Sequence, residues 1–282
     1  MKFFPQPVWP RELEDPGDIR CSLNANDSEN LRSERGQTMV IDKGLGRNAF
    51  SDLIETSGDY IDMIKLGFGT APLYPLELLV SKIELAKRRN IIMMPGGTLL
   101  ETAVKQNVVP AFFDTVCRLG FNGIEVSDGT IELPRNRRTE LIKEGVRRGL
   151  CVVTEYGKKL TGSLIDASAL AVTAETDLNA GAELIIVEAR ESGVGVGLFD
   201  ENGECRNNVL ETVCQTLGST TPIMWEAPLK QQQVHLLKTF GPQVHLGNIP
   251  PDETTALETM RRGLRSDTFS FGLGKASVHY VI

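Results

Sequence analysis

From Thr38 onward, short apolar runs recur along the chain, and most end in a charged or glycine-rich stretch. The runs fall at 38–41, 61–65, 91–94, 123–126, 151–154, 184–187, 223–225 and 244–246. Between them lie segments with apolar spacing of three and four, at 76–89, 111–119, 137–148, 177–182, 209–217 and 231–240. That spacing predicts helices with one buried face. Gly120, Gly149 and Gly181 stand where helices stop before the next strand. Eight strands alternating with helices predict an α/β chain folded as a (β/α)8 TIM barrel, with an open doubly wound sheet as the alternative. No linker or break in composition divides residues 37–268, so they read as one domain. Residues 1–36 are polar and read as an irregular N-terminal arm. Phe3, Phe4 and Trp9 are the side chains able to pack that arm on the domain, and a disordered tail is the alternative. Residues 269–282 read as a C-terminal tail or an oligomer contact.

The strand ends carry the candidate chemistry, because a barrel of this kind builds its site at the carboxyl ends of its strands. The first ends in Asp42-Lys43-Gly44 and the second in Lys65 followed by Gly67-Phe68-Gly69. Ile61, Met63 and Lys65 share one face, and a lysine continuing an apolar face is costly without a partner or ligand. The third ends in Pro95-Gly96-Gly97-Thr98, a turn whose free N–H groups open a helix and suit an anion. Thr98 and Glu101 also fit a capping box, which explains the same residues without function. The fourth supplies Glu125 and Ser127, and the fifth Glu155, Lys158 and Lys159. The sixth supplies Glu188, Arg190, Gly193 and Gly195, the seventh Glu226, and the eighth Gly247 and Asn248. Loops after the last two strands of a barrel often bind phosphate, so Gly247 and Asn248 are expected there, with Gly193 and Gly195 as partners.

Composition narrows the chemistry. The 282 residues carry 30 basic and 37 acidic side chains, a net charge of −7, which leaves no global footprint for nucleic acid. Three dispersed histidines do not make a zinc site, and no GxGxxG opens the chain for a dinucleotide. Five cysteines without CxxC spacing read as reduced thiols of a cytoplasmic protein. No run is long enough to span a membrane, and the N-terminus lacks a signal peptide's pattern. Carboxylates gathered at strand ends suit Mg²⁺, with Asp42, Glu125, Glu155 and Glu188 as candidate ligands. The neighbouring lysines and arginine suit a small phosphorylated or carboxylated substrate.

Several segments together resemble the phosphosulfolactate synthase family. They are Asp42-Lys43-Gly44-Leu45, Gly58-Asp59-Tyr60-Ile61-Asp62, Lys65 to Thr70, Gly96-Gly97-Thr98-Leu99, Ile124 to Thr130, Glu155-Tyr156-Gly157-Lys158-Lys159, Glu188 to Gly193, Glu226-Ala227-Pro228 and Leu246-Gly247-Asn248-Ile249. The resemblance runs from about residue 35 to about 268. The N-terminal arm is longer than the family pattern, and Phe68 and His245 depart from it. The resemblance implies a lyase run in the synthetic direction, in which sulfite adds to phosphoenolpyruvate in a Mg²⁺-dependent reaction. The product is (2R)-phospho-3-sulfolactate, on the way to coenzyme M or to sulfolactate. The partners expected of the chain are small anionic substrates, phosphoenolpyruvate and sulfite, and further copies of itself in a homo-oligomer. Within that reaction Lys158 is expected to protonate C2, with Lys43 and Lys65 holding carboxylate and sulfite and Arg190 assisting, while Lys159 faces away. Gly96, Gly97, Thr98 and Ser127 are expected to contact substrate. The alternatives are another barrel enzyme of phosphoenolpyruvate or a phosphorylated sugar, such as an aldolase, and a non-catalytic stress-associated relative.

Overall fold

The computed structural model describes residues 9–17, 36–160, 162–217 and 221–272. Its first half contains α1 (Arg11–Glu14), β1 (Thr38–Asp42), α2 (Arg47–Ser57), β2 (Met63–Leu66), α3 (Leu76–Arg88), β3 (Ile92–Pro95), α4 (Gly97–Lys105), α5 (Val109–Leu119) and β4 (Gly123–Val126). The second half adds α6 (Arg135–Arg147), β5 (Cys151–Tyr156), α7 (Ala167–Asn179), β6 (Leu184–Val187), α8 (Asn207–Thr216), β7 (Ile223–Glu226), α9 (Lys230–Phe240), β8 (His245–Ile249) and α10 (Thr254–Arg261). The strands form one eight-stranded parallel sheet in the order β3-β2-β1-β8-β7-β6-β5-β4. Helices separate consecutive strands, so the expected (β/α)8 barrel is present and nearly closed.

The two ends of that order, β3 and β4, meet at a seam. Asn122 bridges it by accepting from Met93 N at 2.7 Å and donating to Ile91 O at 3.3 Å. A Cβ on Gly123 would come within 2.5 Å of Ile92, so glycine is what allows β4 to approach β3 this closely. Truncating Asn122 orphans a backbone N–H, which costs about 1–3 kcal/mol. Asn122→Ala is therefore expected to lower the urea unfolding midpoint with an unchanged m-value.

Alternation of side chains sorts the strand residues into two layers. Met39, Met63, Met94, Val153, Leu184, Ile186 and Met224 fill the barrel interior. Their neighbours Val40, Ile64, Met93, Val152, Ile185 and Trp225 pack outward under the helices. Glycines close several helices in the left-handed region, with φ of 89° at Gly120, 72° at Gly149 and 107° at Gly181. The helix expected at 177–182 instead spans Ala167–Asn179, capped by Asp166, which accepts from Ala169 N at 3.0 Å. Its alanines give little contrast between faces, so periodicity marked only the last turn.

His245 lies at the start of β8, where its Nδ1 accepts from Gln37 N at 2.9 Å. Burial and the nearby Arg261 push its pKa down to about 4. The unfolded chain therefore binds more protons than the folded one between roughly pH 4 and 6.5. Stability from this group is complete above about pH 6.5 and is lost as pH falls towards 4. His245→Gln is expected to flatten the acid side of a plot of Tm against pH.

In the N-terminal arm, Trp9 is 65% exposed and does not pack on the barrel. Phe3 and Phe4 lie outside the described residues. Among the arm's described residues, Glu14 is tied to the barrel through its carbonyl, which accepts from Arg262 at 3.1 Å. Among the described residues no helix is long and apolar enough to cross a membrane.

Candidate active site

Above the methionine-rich interior, the next inward positions of the strands are charged. Lys65 from β2, Glu125 from β4, Glu155 from β5, Glu188 after β6 and Glu226 from β7 are all buried. They line a cavity of about 350 Å³ at the carboxyl ends of the strands. Lys65 Nζ sits 2.8 Å from Glu226 Oε1, 3.1 Å from Glu125 Oε2 and 3.7 Å from Glu155 Oε2. A second ammonium, Lys159, reaches in from the loop after β5. Its Nζ is 2.9 Å from Glu155 Oε1 and 3.4 Å from Glu188 Oε2.

Backbone groups fix the carboxylates. Glu125 accepts from Gly97 N at 3.1 Å, at the first turn of α4. Glu226 accepts from Ala189 N at 2.9 Å, and Glu188 from Arg190 N at 2.6 Å. The glycines leave room for this. A Cβ on Gly97 would meet the Ser127 side chain and come within 2.9 Å of Glu125 Oε1. Gly157, at φ 133°, lies where a Cβ would stand 2.7 Å from that of Glu188.

The electrostatics follow from crowding like charges out of water. Burial would lower the Lys65 pKa, but Glu125, Glu226 and Glu155 hold it well above its ordinary value. Lys159 is likewise raised by Glu155, Glu188 and Glu125 against its burial. Burial would raise Glu155, yet Lys159 and Lys65 outweigh it and keep Glu155 ionised. Glu125 is pushed up to about 7 by burial in spite of Lys65. Glu188 is raised well above the usual carboxylate range by burial and by Glu155 and Glu226. Four carboxylates face two ammoniums here, so the fully ionised cluster carries an excess of negative charge. Glu155, Glu188 and Glu226 each offer an oxygen within 4.8 Å of the others, a spacing that suits a cation.

The (2R)-phospho-3-sulfolactate synthase family model matches residues 26–267. The chain belongs to this family. It is 41% identical over 247 residues to the phosphosulfolactate synthase of Methanothermobacter thermautotrophicus, covering 87% of this chain and 94% of that one. The phosphosulfolactate synthase of Methanocaldococcus jannaschii is 39% identical over 240 residues, with 84% and 94% covered. The Arabidopsis thaliana protein HEAT-STRESS-ASSOCIATED 32 is more distant, 25% identical over 227 residues with 72% and 76% covered.

Of the residues singled out from the sequence of this synthase-family chain, Lys65, Gly96, Gly97, Thr98, Glu125, Glu155, Glu188, Arg190 and Asn248 line the cavity. Asp42 does not join them. It points outward from β1, where its Oδ1 accepts from Gly44 N and Leu45 N and its Oδ2 lies 2.5 Å from Lys82 Nζ. Inward and outward positions alternate along β1, so Ile41 faces the cavity and Asp42 faces α3. Lys43 is exposed, beside Gly67 and outside the cavity lining. Ser127 is turned to Glu101, to which it donates at 2.5 Å. Glu101 also accepts from Thr130 N and Ile131 N, so the Thr98–Glu101 capping box is absent. Gly193 and Gly195 are engaged elsewhere: Gly193 O accepts from Gln232, and Gly195 N donates to Asp200 O. Gly247 faces the methionine interior, where a Cβ would stand 2.8 Å from Met39.

The two adjacent lysines exchange the positions expected of them. Lys158 is half exposed and donates to Asp128 O at 2.7 Å and Ile131 O at 3.3 Å, outside the cavity. Lys159 enters it, its stem lying over Gly129, where a Cβ would come within 2.9 Å. Glu226 is the cluster member missing from the candidate ligands. It ends an apolar run as Glu125 and Glu155 do, and that shared pattern was the available signal.

Proposed function

We propose that this cavity adds sulfite to C3 of phosphoenolpyruvate to give (2R)-phospho-3-sulfolactate, with Mg²⁺ held by Glu155, Glu188 and Glu226. The reading is carried by the buried glutamate–lysine cluster on the catalytic rim of a chain of this family. Oxygen-only donors at this spacing fit a hard divalent ion. The charge excess points the same way, because small anions are repelled from a negative cavity until it is neutralised. When bound, Mg²⁺ would supply Lewis-acid stabilisation of a substrate carboxylate and would compete with Lys159 for Glu155 and Glu188.

The protein's own groups then have distinct tasks. The sulfur lone pair of sulfite forms the C–S bond at C3, so no side-chain nucleophile is required. The C2–C3 π electrons move towards the carboxylate, and the Lys65 ammonium is held charged beside that developing negative charge. Lys159 gives a proton to C2 and is recharged from solvent. Its carboxylate partners hold it as a charged ammonium inside the cavity, so a proton is already in place when charge develops on the substrate. An aldolase chemistry is disfavoured, because Lys65 is held as an ammonium by three carboxylates and lacks the free amine that a Schiff base needs.

The test is ³¹P NMR of phosphoenolpyruvate with sulfite, first with EDTA and then with excess Mg²⁺. A new phosphate-ester signal that needs both sulfite and Mg²⁺ is expected. Turnover indifferent to EDTA rejects the metal assignment, and consumption of phosphoenolpyruvate indifferent to sulfite rejects the reaction.

A further inference from the structure

We propose that Arg190 and Asn248 form a separate subsite for the phosphate group of the substrate, apart from the glutamate–lysine cluster. The assignment of phosphate rests on the function proposed above. The existence of an anion subsite rests on the geometry alone.

The cations of the cavity differ in what they touch. Lys65 and Lys159 each contact at least two carboxylates and are neutralised within the cluster. Arg190 is half-buried and lines the same cavity, yet its guanidinium makes no hydrogen bond or ion pair among the described residues. Among the described residues only its backbone is engaged, its N–H donating to Glu188. A guanidinium left without a carboxylate beside an acidic cluster is a donor fork in search of an anion.

Asn248 supplies the second observation. It is 3% exposed and lines the cavity, and its side-chain amide makes no hydrogen bond among the described residues, so its Nδ2 N–H groups are left to donate to an anion and its buried Oδ1 is left to accept from a ligand or water. In a regular strand it would face away from the interior, because its neighbour Gly247 faces in. Its backbone instead adopts φ 54°, and Arg190 adopts φ 61°. Left-handed backbone at non-glycine residues is uncommon and gathers at functional sites. Here it occurs at two strand ends that flank β7, with both side chains on one cavity. An amide and a guanidinium together offer several N–H donors, which match the oxygens of a phosphate. The subsite would therefore discriminate a phosphorylated substrate from its unphosphorylated analogue without taking part in proton transfer.

The experiment titrates inorganic phosphate into wild type and variants by calorimetry at fixed Mg²⁺, alongside steady-state kinetics. Losing charge-assisted hydrogen bonds of this kind weakens binding by about 10- to 100-fold. Arg190→Ala should show that loss for phosphate, and its KM for phosphoenolpyruvate should rise in parallel with a smaller change in kcat. Arg190→Lys should recover part of the affinity, since it restores the charge without the fork. Arg190→Gly suits the left-handed backbone, so it should lose phosphate affinity while its Tm stays at or above that of wild type. Asn248→Asp, nearly isosteric, should weaken phosphate by repulsion. Phosphate binding that survives Arg190→Ala overturns the proposal, as does a fall in kcat at unchanged KM, or an Arg190→Gly protein that melts well below wild type. If phosphate affinity is lost in Arg190→Ala but the wild type never couples sulfite to phosphoenolpyruvate, the subsite stands and the proposed reaction falls.

Discussion

Replacing Lys159 with methionine is expected to lower kcat by about 10²- to 10⁴-fold, the usual cost of losing a general acid. Lys159 Nζ is the ammonium of the β5 loop that enters the cavity, bridging Glu155 and Glu188. Methionine keeps the length of the stem over Gly129 but cannot deliver a proton. Lys158→Ala is the matched control. Its side chain is 45% exposed and held by loop carbonyls, so turnover should stay within a few-fold of wild type. The reverse outcome, with Lys158→Ala inactive and Lys159→Met active, would restore the assignment expected from the sequence. Stopped-flow turnover of both variants, with circular dichroism to show that each is folded, separates these results.

Lys65→Met is expected to be the most destabilising single change in the cavity. It leaves Glu125, Glu155 and Glu226 buried without their shared cation. Removing one partner from a buried ion cluster typically costs about 3–5 kcal/mol. For a domain of this size that lowers Tm by roughly 6–20 °C. The double change Lys65→Met with Glu226→Gln removes a charge of each sign and should be milder than the sum of the singles. Excess Mg²⁺ should raise the Tm of Lys65→Met more than that of wild type, because the cation takes over the neutralisation. Calorimetric melts with and without Mg²⁺ measure both effects. Equal Tm values for Lys65→Met and wild type would mean that the cluster relaxes by protonation of Glu125 or Glu188.

Much of this architecture was legible in the chain. The strand runs and the glycine stops are local features, and the eightfold rhythm needs no tertiary knowledge. The charges at strand ends were legible as a group for the same reason. Which of them face one another was less so. Asp42 and Lys65 both end apolar runs, but they fall on opposite sides of the alternation, and only the paired register of β1 and β2 sets Ile41 beside Lys65. Lys159 could have been preferred from sequence, because Glu155, Gly157 and Lys159 keep the period of two, whereas Lys158 breaks it. Gly193 and Gly195 read as anion donors, yet neither lines the cavity: the Gly195 N–H is spent on Asp200 O within the β6–α8 loop, and the Gly193 carbonyl is tied to Gln232 of α9. Asn248 was legible only as a strand end, and its entry into the cavity depends on a left-handed backbone that no periodicity encodes.

The most direct test of the account is an anomalous difference map from crystals soaked with Mn²⁺ and phosphoenolpyruvate in the absence of sulfite. The account predicts one strong peak among the carboxylates of Glu155, Glu188 and Glu226, with C2 of the ligand within reach of Lys159 Nζ. A peak on Asp42, or a ligand whose C2 faces Lys158, would contradict it.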